Sequence, residues 1–351
     1  MTAQTLIPLR IKNIIRETTD TSSFVLEEMG NPIRYQAGQF LTFIFPTSTG
    51  GEDRRSYSLS SAPVLHEPLQ VTVKRIANGA WSRWLVDRAV EGDVLQTIGC
   101  TGYFVLPDEL NEIDHLVFFA AGSGITPVFS LIKTALHTMP RLKLVLVYSN
   151  RSPDAAIFRS ELIDLQTQFA DRLFIDFLYS AGSPRRRLNV GMIEAFAHRH
   201  SHNSLFFVCG PIEYMRTISI VLKTSGIKES AIRREIFHVE KPPVKELPPD
   251  ALPHQVTVQL DDREFRFEVQ YPATILQTAK SLNIPIPYSC EAGQCGTCSA
   301  TCTAGKVWMW HNDVLLDDEL SAGRILTCTG YPVGGDVRLR VATSYEPPVS
   351  G

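Results

Sequence analysis

Long apolar runs, a charge excess of one sign and paired cysteines are all scarce in this 351-residue chain. No run approaches the roughly 20 apolar residues that span a bilayer. The N-terminal segment also lacks an apolar core of signal-peptide length. The formal net charge is only -3, so composition does not favour nucleic acid or a membrane surface as a partner. We therefore expect neither among the partners of this protein.

The seven cysteines do not suggest a disulfide framework, which fits a reducing cytoplasm. Three of them, Cys290, Cys295 and Cys298, instead stand at C-x4-C-x2-C, the plant-type ferredoxin spacing for a 2Fe-2S cluster. Cys328 is the natural fourth ligand. Structural zinc usually uses a second C-x2-C or paired histidines, and a Rieske centre needs two histidine ligands, but this loop has neither. Cys302, four residues after Cys298, is expected to pack in a strand rather than to compete as a ligand.

The length of the chain predicts two or three domains. Residues 1–110 carry short β-rich runs broken by Gly, Pro and Ser, which is typical of a small antiparallel β-barrel. Residues 111–240 alternate apolar strands with amphipathic helices. This alternation predicts a doubly wound α/β domain, whose parallel sheet is covered on both faces.

Residues 241–253 contain five prolines, which predict an extended, semi-rigid linker and a mobile domain beyond it. Residues 254–351 begin with two alternating runs around Asp261-Asp262, which predict a hairpin. We expect a helix to follow, then the loop that carries Cys290, Cys295 and Cys298, called the cysteine loop below, and then a second short helix over residues 313–320.

The first predicted domain contains two short motifs, Arg54-Arg55-Ser56-Tyr57-Ser58 and, further along, Gly79-Ala80-Trp81-Ser82. They resemble the R-x-Y-S and G-x-x-S motifs of the ferredoxin-NADP reductase superfamily. The resemblance implies that Arg55 binds a flavin phosphate, that Tyr57 packs on the isoalloxazine, and that Ser58 hydrogen-bonds near flavin N5. The implied flavin-binding residues are Arg55, Ser56, Tyr57, Ser58, Arg75, Gly79, Ala80, Trp81 and Ser82.

A helix that starts at the second motif favours a pyrophosphate, because helix N-termini bind anions. We therefore expect FAD. The phthalate dioxygenase reductase branch of the superfamily uses FMN, so FMN stays an alternative.

The second predicted domain resembles the nicotinamide half of the same superfamily. Its first strand is followed by the motif G-x-G-x-x-P, in which proline replaces the third glycine of the usual dinucleotide motif. Its last core strand is followed by C-G-P. The turn after the first strand is where an open α/β sheet binds a dinucleotide pyrophosphate. The resemblance implies that Cys209 lies beside the nicotinamide and that Phe237, in a terminal E-x-F motif, covers the flavin until nicotinamide stacks there. The implied nucleotide-binding residues are Gly122, Gly124, Thr126, Pro127, Arg151, Cys209, Gly210, Pro211 and Phe237, and the implied catalytic residues are Ser58, Cys209 and Phe237.

The choice between NADH and NADPH stays open at this point. No acidic residue stands at the end of the second strand, where NAD-dependent enzymes often place one on the ribose. Arg151, Arg159 and the run 185–187 could receive a 2'-phosphate, although charge runs are more often solvated surface.

The C-terminal region resembles a β-grasp ferredoxin of the α+β class. The order of flavin, nicotinamide and ferredoxin domains resembles oxygenase reductase components over nearly the whole chain. It implies that NAD(P)H reduces FAD, that the 2Fe-2S cluster takes the electrons singly, and that a separate terminal oxygenase or hydroxylase receives them. Asp313 and the acidic run 317–319 could form a docking face for that partner, although a solvated helix would look the same. A free-standing diaphorase that reduces a haem or a small acceptor, and a redox-sensing module, remain alternative functions.

Overall fold

The computed structural model describes residues 6–30, 32–47, 50–181, 184–237 and 246–341. Three larger β-sheets follow one another along these ranges, each with its own buried core. The middle sheet has a core on each of its two faces. The expected order of an antiparallel barrel, an α/β unit and an α+β unit is confirmed. The exact domain boundaries stay a prediction.

The first unit is an antiparallel sheet of six strands in the order β4-β3-β6-β1-β2-β5. Its strands are β1 (Ile7–Thr18), β2 (Thr21–Glu28), β3 (Phe40–Pro46), β4 (Glu52–Ser58), β5 (Gln70–Lys74) and β6 (Val94–Thr101). A bridge between Leu59 and Val71 joins the ends of the two edge strands and closes the sheet into a barrel. Helix α1 (Ala80–Arg88) follows β5.

The second unit is a parallel sheet in the order β11-β10-β7-β8-β9. Its strands are β7 (His115–Ala121), β8 (Lys143–Asn150), β9 (Leu173–Tyr179), β10 (Ser204–Cys209) and β11 (Ile232–Glu235), and its helices are α2 (Ile125–Thr138), α3 (Arg159–Gln168), α4 (Val190–Arg199) and α5 (Ile212–Thr224). All six residues of β10 are buried, because a central parallel strand is covered by helices on both sides.

The third unit is a mixed sheet in the order β13-β12-β18-β14-β16, beside a small two-stranded sheet of β15 and β17. The strands are β12 (His254–Leu260), β13 (Arg263–Val269), β14 (Ser299–Ala304), β15 (Val307–Met309), β16 (Arg324–Leu326), β17 (Gly330–Pro332) and β18 (Val337–Val341), and the helices are α6 (Ile275–Ser281) and α7 (Asp317–Ser321). The predicted hairpin is β12-β13. Thr274 and Gln277 form a capping box that fixes where α6 begins.

The secondary structure departs from the sequence prediction at the second short helix of the third unit. The second short helix begins at Asp317 instead of residue 313, because Asn312 accepts hydrogen bonds from the N–H groups of Val314 and Leu315 and holds that stretch in a turn.

Only part of the proline-rich linker can be described, since residues 241–245 lie outside the described ranges. Asp250, near the end of the predicted linker, accepts hydrogen bonds from His254 (2.6 Å) and from the N–H of Gly334 (2.9 Å). A hydrogen bond from the N–H of Leu252 (2.9 Å), together with those from Gly334 and His254, lowers the pKa of Asp250 to about 2. The last linker residues are therefore fastened to the third unit.

No helix in the described ranges is long and apolar enough to cross a membrane.

An ion pair between a buried lysine and a half-buried glutamate fastens the barrel to the parallel-sheet unit. Lys133 on α2 contacts Glu67 of the barrel, and its side chain is only 10% exposed. Glu67 also accepts from the N–H of Ala62 (2.7 Å), and Ser130 donates to the carbonyl of Ser61 (2.6 Å). Burial lowers the pKa of Lys133, and the Glu67 carboxylate opposes that shift more strongly than the second nearby carboxylate, Glu161.

We expect Glu67→Gln to lower the free energy of unfolding by about 3 kcal/mol, because it leaves a buried ammonium without its counter-ion. The measurement is urea unfolding of the cofactor-loaded protein. Glu27→Gln is the matched control, since Glu27 pairs with Arg10 at the surface and should matter by less than about 1 kcal/mol. Equal losses in the two variants would contradict this account.

Candidate functional site

Strand β4 carries the candidate flavin residues at one end of the barrel. Arg55 is exposed and forms an ion pair with Asp53 (3.4 Å). Tyr57 is half-buried and packs against Phe43, with ring centroids 6.1 Å apart. Side chains alternate along a strand, so Arg55 and Tyr57 share one face. This is the arrangement needed to hold a phosphate and a flat ring side by side.

The second flavin motif forms the start of helix α1. Gly79 is the N-cap and offers no side chain to the first N–H groups of the helix. Ser82 accepts from the N–H of Ile76 (3.2 Å) and donates to the carbonyl of Gly79 (3.3 Å), which fixes the turn. The helix N-terminus is thus shaped to receive an anion.

Neighbouring side chains brace this turn. Trp81 stacks on Phe45 with centroids 4.3 Å apart and donates to Asp53 (2.8 Å). Asp53 therefore orients Trp81 and Arg55 together. Arg75, by contrast, is exposed and forms a surface ion pair with Asp87 (3.5 Å).

The nucleotide motif lies at the carboxyl edge of the parallel sheet. Gly122 begins the turn after β7, and Tyr148 donates to its carbonyl (3.1 Å). Gly124 lies so close to the backbone of Cys209 that a Cβ atom would collide with the Cys209 carbonyl. The G-x-G turn and the C-G-P turn therefore form one surface.

A buried hydroxyl at this edge has no protein partner. Thr126 is 1% exposed, and its Oγ1 makes no hydrogen bond within the part of the chain that the structure describes. An unsatisfied buried hydroxyl usually marks a ligand or water position. Pro127 is buried behind it in the first turn of α2. The residues present here fit a bound dinucleotide.

Three buried residues from the two units meet at the centre of the site. Cys209 and Glu235 are direct neighbours on β10 and β11. Ser58, at the end of β4, donates a hydrogen bond from its Oγ to Glu235 Oε2 (3.1 Å). Burial raises the pKa of Cys209, and it raises the pKa of Glu235 to about 8. At neutral pH both side chains are protonated, so the site presents an uncharged, water-excluding wall.

Glu235 is the residue that sequence reasoning did not place in the site. It appeared only as the first letter of the E-x-F motif. A carboxylate that contacts Ser58 across two units is visible only once the strands are assembled.

The remaining nucleotide candidates lie at the rim. Gly210 and Pro211 follow β10, and the ring of Phe237, two residues after β11, is 46% exposed. Arg151 is exposed directly after β8. Within the run 185–187, Arg186 is already held by Asp176 in a two-point ion pair (2.8 and 3.0 Å).

The three cysteines of the loop and Cys328, between β16 and β17, bring their sulfurs together in two pairs. The Cys295 thiol lowers the pKa of Cys290 to about 6, and Cys298 beside Cys328 raises the pKa of Cys328. The N–H of Ala292 donates to Cys290 Sγ (3.4 Å), as the sulfurs of a negative cluster require. Within the described ranges, no group of three or more Cys, His, Asp or Glu could hold a single metal ion.

Two pairs of thiols fit a cluster with two irons, each bound by two cysteines. Cys302 is not part of this arrangement. It lies on β14, where its thiol donates to the carbonyl of Ala304 (3.5 Å).

Three family models match successive parts of the chain. An oxidoreductase FAD-binding domain matches residues 6–106, an oxidoreductase NAD-binding domain matches residues 118–219, and a 2Fe-2S iron-sulfur cluster binding domain matches residues 258–333.

Curated relatives share this organisation over almost their full length. The ferredoxin reductase component of 3-ketosteroid-9-alpha-monooxygenase from Rhodococcus rhodochrous is 34% identical and covers 94% of this chain and 95% of its own. The chain belongs to the three-domain oxygenase reductases of the ferredoxin-NADP reductase superfamily. The glycine betaine monooxygenase reductase subunit of Pseudomonas aeruginosa is 31% identical, with 93% of each chain covered. One component of the 1,2-phenylacetyl-CoA epoxidase of Escherichia coli is 29% identical, with 96% of this chain and 97% of its own covered.

Solved structures show the same fold. Phthalate dioxygenase reductase aligns with a TM-score of 0.60 at 24% identity, covering 96% of this chain and 98% of its own. An intact type IV self-sufficient cytochrome P450 monooxygenase aligns with a TM-score of 0.72 at 23% identity, covering 95% of this chain and 41% of its own. The family models and the curated relatives identify the reductase as an NAD(P)H-dependent oxidoreductase with FAD-binding, nicotinamide-binding and 2Fe-2S domains, as its motifs predicted.

The raised pKa of Glu235 predicts a pH-dependent reaction. Below about pH 8 the carboxyl keeps its proton, and above it a buried anion opposes the arrival of negative charge on the flavin. We expect the rate of flavin reduction by NAD(P)H to fall as pH rises through this value, and to lose that inflection in Glu235→Gln. Stopped-flow rates from pH 6 to pH 9.5, about two units around the inflection, measure both.

Glu213→Gln is the control, because Glu213 is an exposed carboxylate paired with Arg216. The control should keep the inflection. An unchanged inflection in Glu235→Gln would assign the titration to another group.

Proposed function

We propose that this reductase draws electrons from NAD(P)H and delivers them one at a time to a separate terminal oxygenase or hydroxylase. The observation that carries the proposal is the meeting of three candidate sites around strand β4. Ser58 contacts the nicotinamide unit, Arg55 and Tyr57 form the flavin face, and Ser56 contacts the cysteine loop through Ser289 (2.9 Å).

The flavin, when bound, would link the two-electron chemistry of a nicotinamide to the one-electron chemistry of a cluster. The residues of the chain hold and orient the carriers. Arg55 and the N-terminus of α1 would bind the flavin phosphates, and Tyr57 would pack on its ring. Cys290, Cys295, Cys298 and Cys328 would ligate the irons.

On the nicotinamide side, the turn at Gly122, Gly124 and Thr126 would receive the pyrophosphate. Cys209 and Ser58 would border the reacting rings with uncharged side chains, and Glu235 would hold its proton beneath them. Phe237 is exposed where a ring could cover the flavin and then yield to nicotinamide. Arg151 lies where the adenosine ribose would be expected, after the second strand of the parallel sheet in chain order.

The organic substrate belongs to the oxygenase and not to this chain. Relatives of similar identity are named after a ketosteroid, glycine betaine and phenylacetyl-CoA. A reductase that holds only carriers is compatible with any of these partners. We place the protein in the cytoplasm, because its cysteines are thiols that must stay reduced to ligate iron.

The test compares two cysteine variants from the same domain. In Cys295→Ser we expect the electron paramagnetic resonance signal of the reduced cluster and NAD(P)H-driven oxygenase turnover to be lost. Reduction of ferricyanide, which needs only the flavin, should stay within about twofold of the unmodified protein. Cys302→Ser should keep the cluster signal, the oxygenase turnover and the ferricyanide reduction, since that thiol lies outside the ligand set.

Each alternative function has its own signature in the same experiment. Oxygenase turnover that survives in Cys295→Ser would contradict the relay. Cofactor-loaded protein that cannot oxidise NAD(P)H with ferricyanide would favour a sensing role. Titrations with NADH and with NADPH also reveal which nucleotide is used.

A further inference from the structure

The cysteine loop lies against the barrel at two separate points. Strand β4 contacts the residues just before Cys290. Thr101 at the end of β6 and Tyr103 just after it contact Thr297 and Ser299, which flank Cys298. Since β4, β3 and β6 are neighbours in the sheet, the loop with three of the four cluster ligands lies across this edge of the barrel.

The first contact centres on Arg54. Its guanidinium lies 3.6 Å from the centroid of the Tyr288 ring, and its Nη1 donates to the Tyr288 carbonyl (2.9 Å). The Arg54 side chain is only 10% exposed. An arginine stacked on an aromatic face and largely withdrawn from water makes a strong cation–π contact.

The second contact centres on Tyr103. Its hydroxyl donates to Ser299 Oγ (2.7 Å), one residue after Cys298. Its ring covers Gly296 so closely that a Cβ atom there would lie 2.5 Å from the ring. Gly296 has a φ of +74°, so both the conformation and the space require glycine. Thr101 and Thr297 add a hydrogen bond beside it (3.1 Å).

These contacts join the flavin strand to a cluster ligand by a short route. Ser56 is the neighbour of Tyr57, Ser289 is the neighbour of Cys290, and their hydroxyls are 2.9 Å apart. Electron transfer slows steeply with distance, so the rate depends on how firmly the loop stays in this position.

We propose that Arg54 and Tyr103 are positioning residues that clamp the cysteine loop onto the barrel and thereby set the rate of electron transfer from flavin to cluster. The proposal deepens the proposed function and rests on its electron route. Each transfer would take one electron from the reduced flavin and convert one ferric ion of the cluster to ferrous. The cluster would pass that electron to the terminal oxygenase before it takes the second, so that two such cycles account for the two electrons of one NAD(P)H.

The proposal is tested by anaerobic stopped-flow mixing of the cofactor-loaded protein with NAD(P)H, following flavin absorbance and the cluster signal separately. In Arg54→Met and in Tyr288→Leu we expect cluster reduction to slow by about tenfold, because the free energy of a partly desolvated cation–π contact corresponds to a factor of about that size. Tyr288→Phe keeps the aromatic face and should stay within about twofold of the unmodified protein.

A double-mutant cycle separates the clamp from general damage. Arg54 contacts both the Tyr288 ring and the Tyr288 backbone carbonyl, and only the ring contact is lost in Tyr288→Leu. Arg54→Met/Tyr288→Leu should therefore be no slower than Arg54→Met alone. Adding Tyr103→Phe to Arg54→Met should slow cluster reduction further, since it loosens the second point. Flavin reduction by NAD(P)H, ferricyanide turnover and iron content per flavin should stay unchanged in every variant.

Any one of three outcomes would contradict the proposal that Arg54 and Tyr103 clamp the loop. They are an unchanged cluster-reduction rate in Arg54→Met/Tyr103→Phe, a Tyr288→Phe variant as slow as Tyr288→Leu, or an equal loss of flavin reduction. If the unmodified protein itself shows no cluster signal after flavin reduction, the proposed function fails instead.

Discussion

Strand β4 is the constraint on which the arrangement of the three units depends. Successive side chains of a strand point to opposite faces, so seven residues, Glu52–Ser58, can serve several neighbours at once. Arg55 and Tyr57 form the face for a flavin, Arg54 and Ser56 contact the cysteine loop, and Ser58 reaches Glu235 in the parallel-sheet unit. A shift of register by one residue would exchange these faces and separate all three sites.

The electrostatics around this strand divide into a dry centre and charged edges. Ser58, Cys209 and Glu235 are all buried, and burial keeps the two acidic groups, the Cys209 thiol and the Glu235 carboxyl, protonated at neutral pH. Arg55 and Arg75 are each paired with an aspartate at the surface, and an incoming phosphate can replace that aspartate as the partner of the arginine. A neutral centre suits the transfer of negative charge between stacked rings, and exposed cations suit the binding of phosphates.

Much of the fold could be predicted from sequence, because the signals were local. The spacing of Cys290, Cys295 and Cys298 indicated the cluster loop, and the strand-helix alternation indicated the parallel sheet. Glu235 and the contacts of Arg54 and Tyr103 could not be found in this way, since each depends on residues more than 170 positions away in sequence. The helix expected over 313–320 was wrong in its start, because a turn stabilised by Asn312 overrides helix propensity there.

The proline-rich linker predicted a cluster domain that moves, whereas the contacts of the cysteine loop describe one that is docked on the barrel. The solvent-viscosity dependence of cluster reduction tests these two descriptions most directly. A domain that must diffuse on its tether to reach the flavin would pass electrons more slowly as sucrose raises the viscosity, in proportion to it. The docked arrangement predicts a rate of cluster reduction that stays constant over a viscosity range of about fivefold, because small local motions are all that remain. A rate that falls in proportion to viscosity would contradict the docked arrangement.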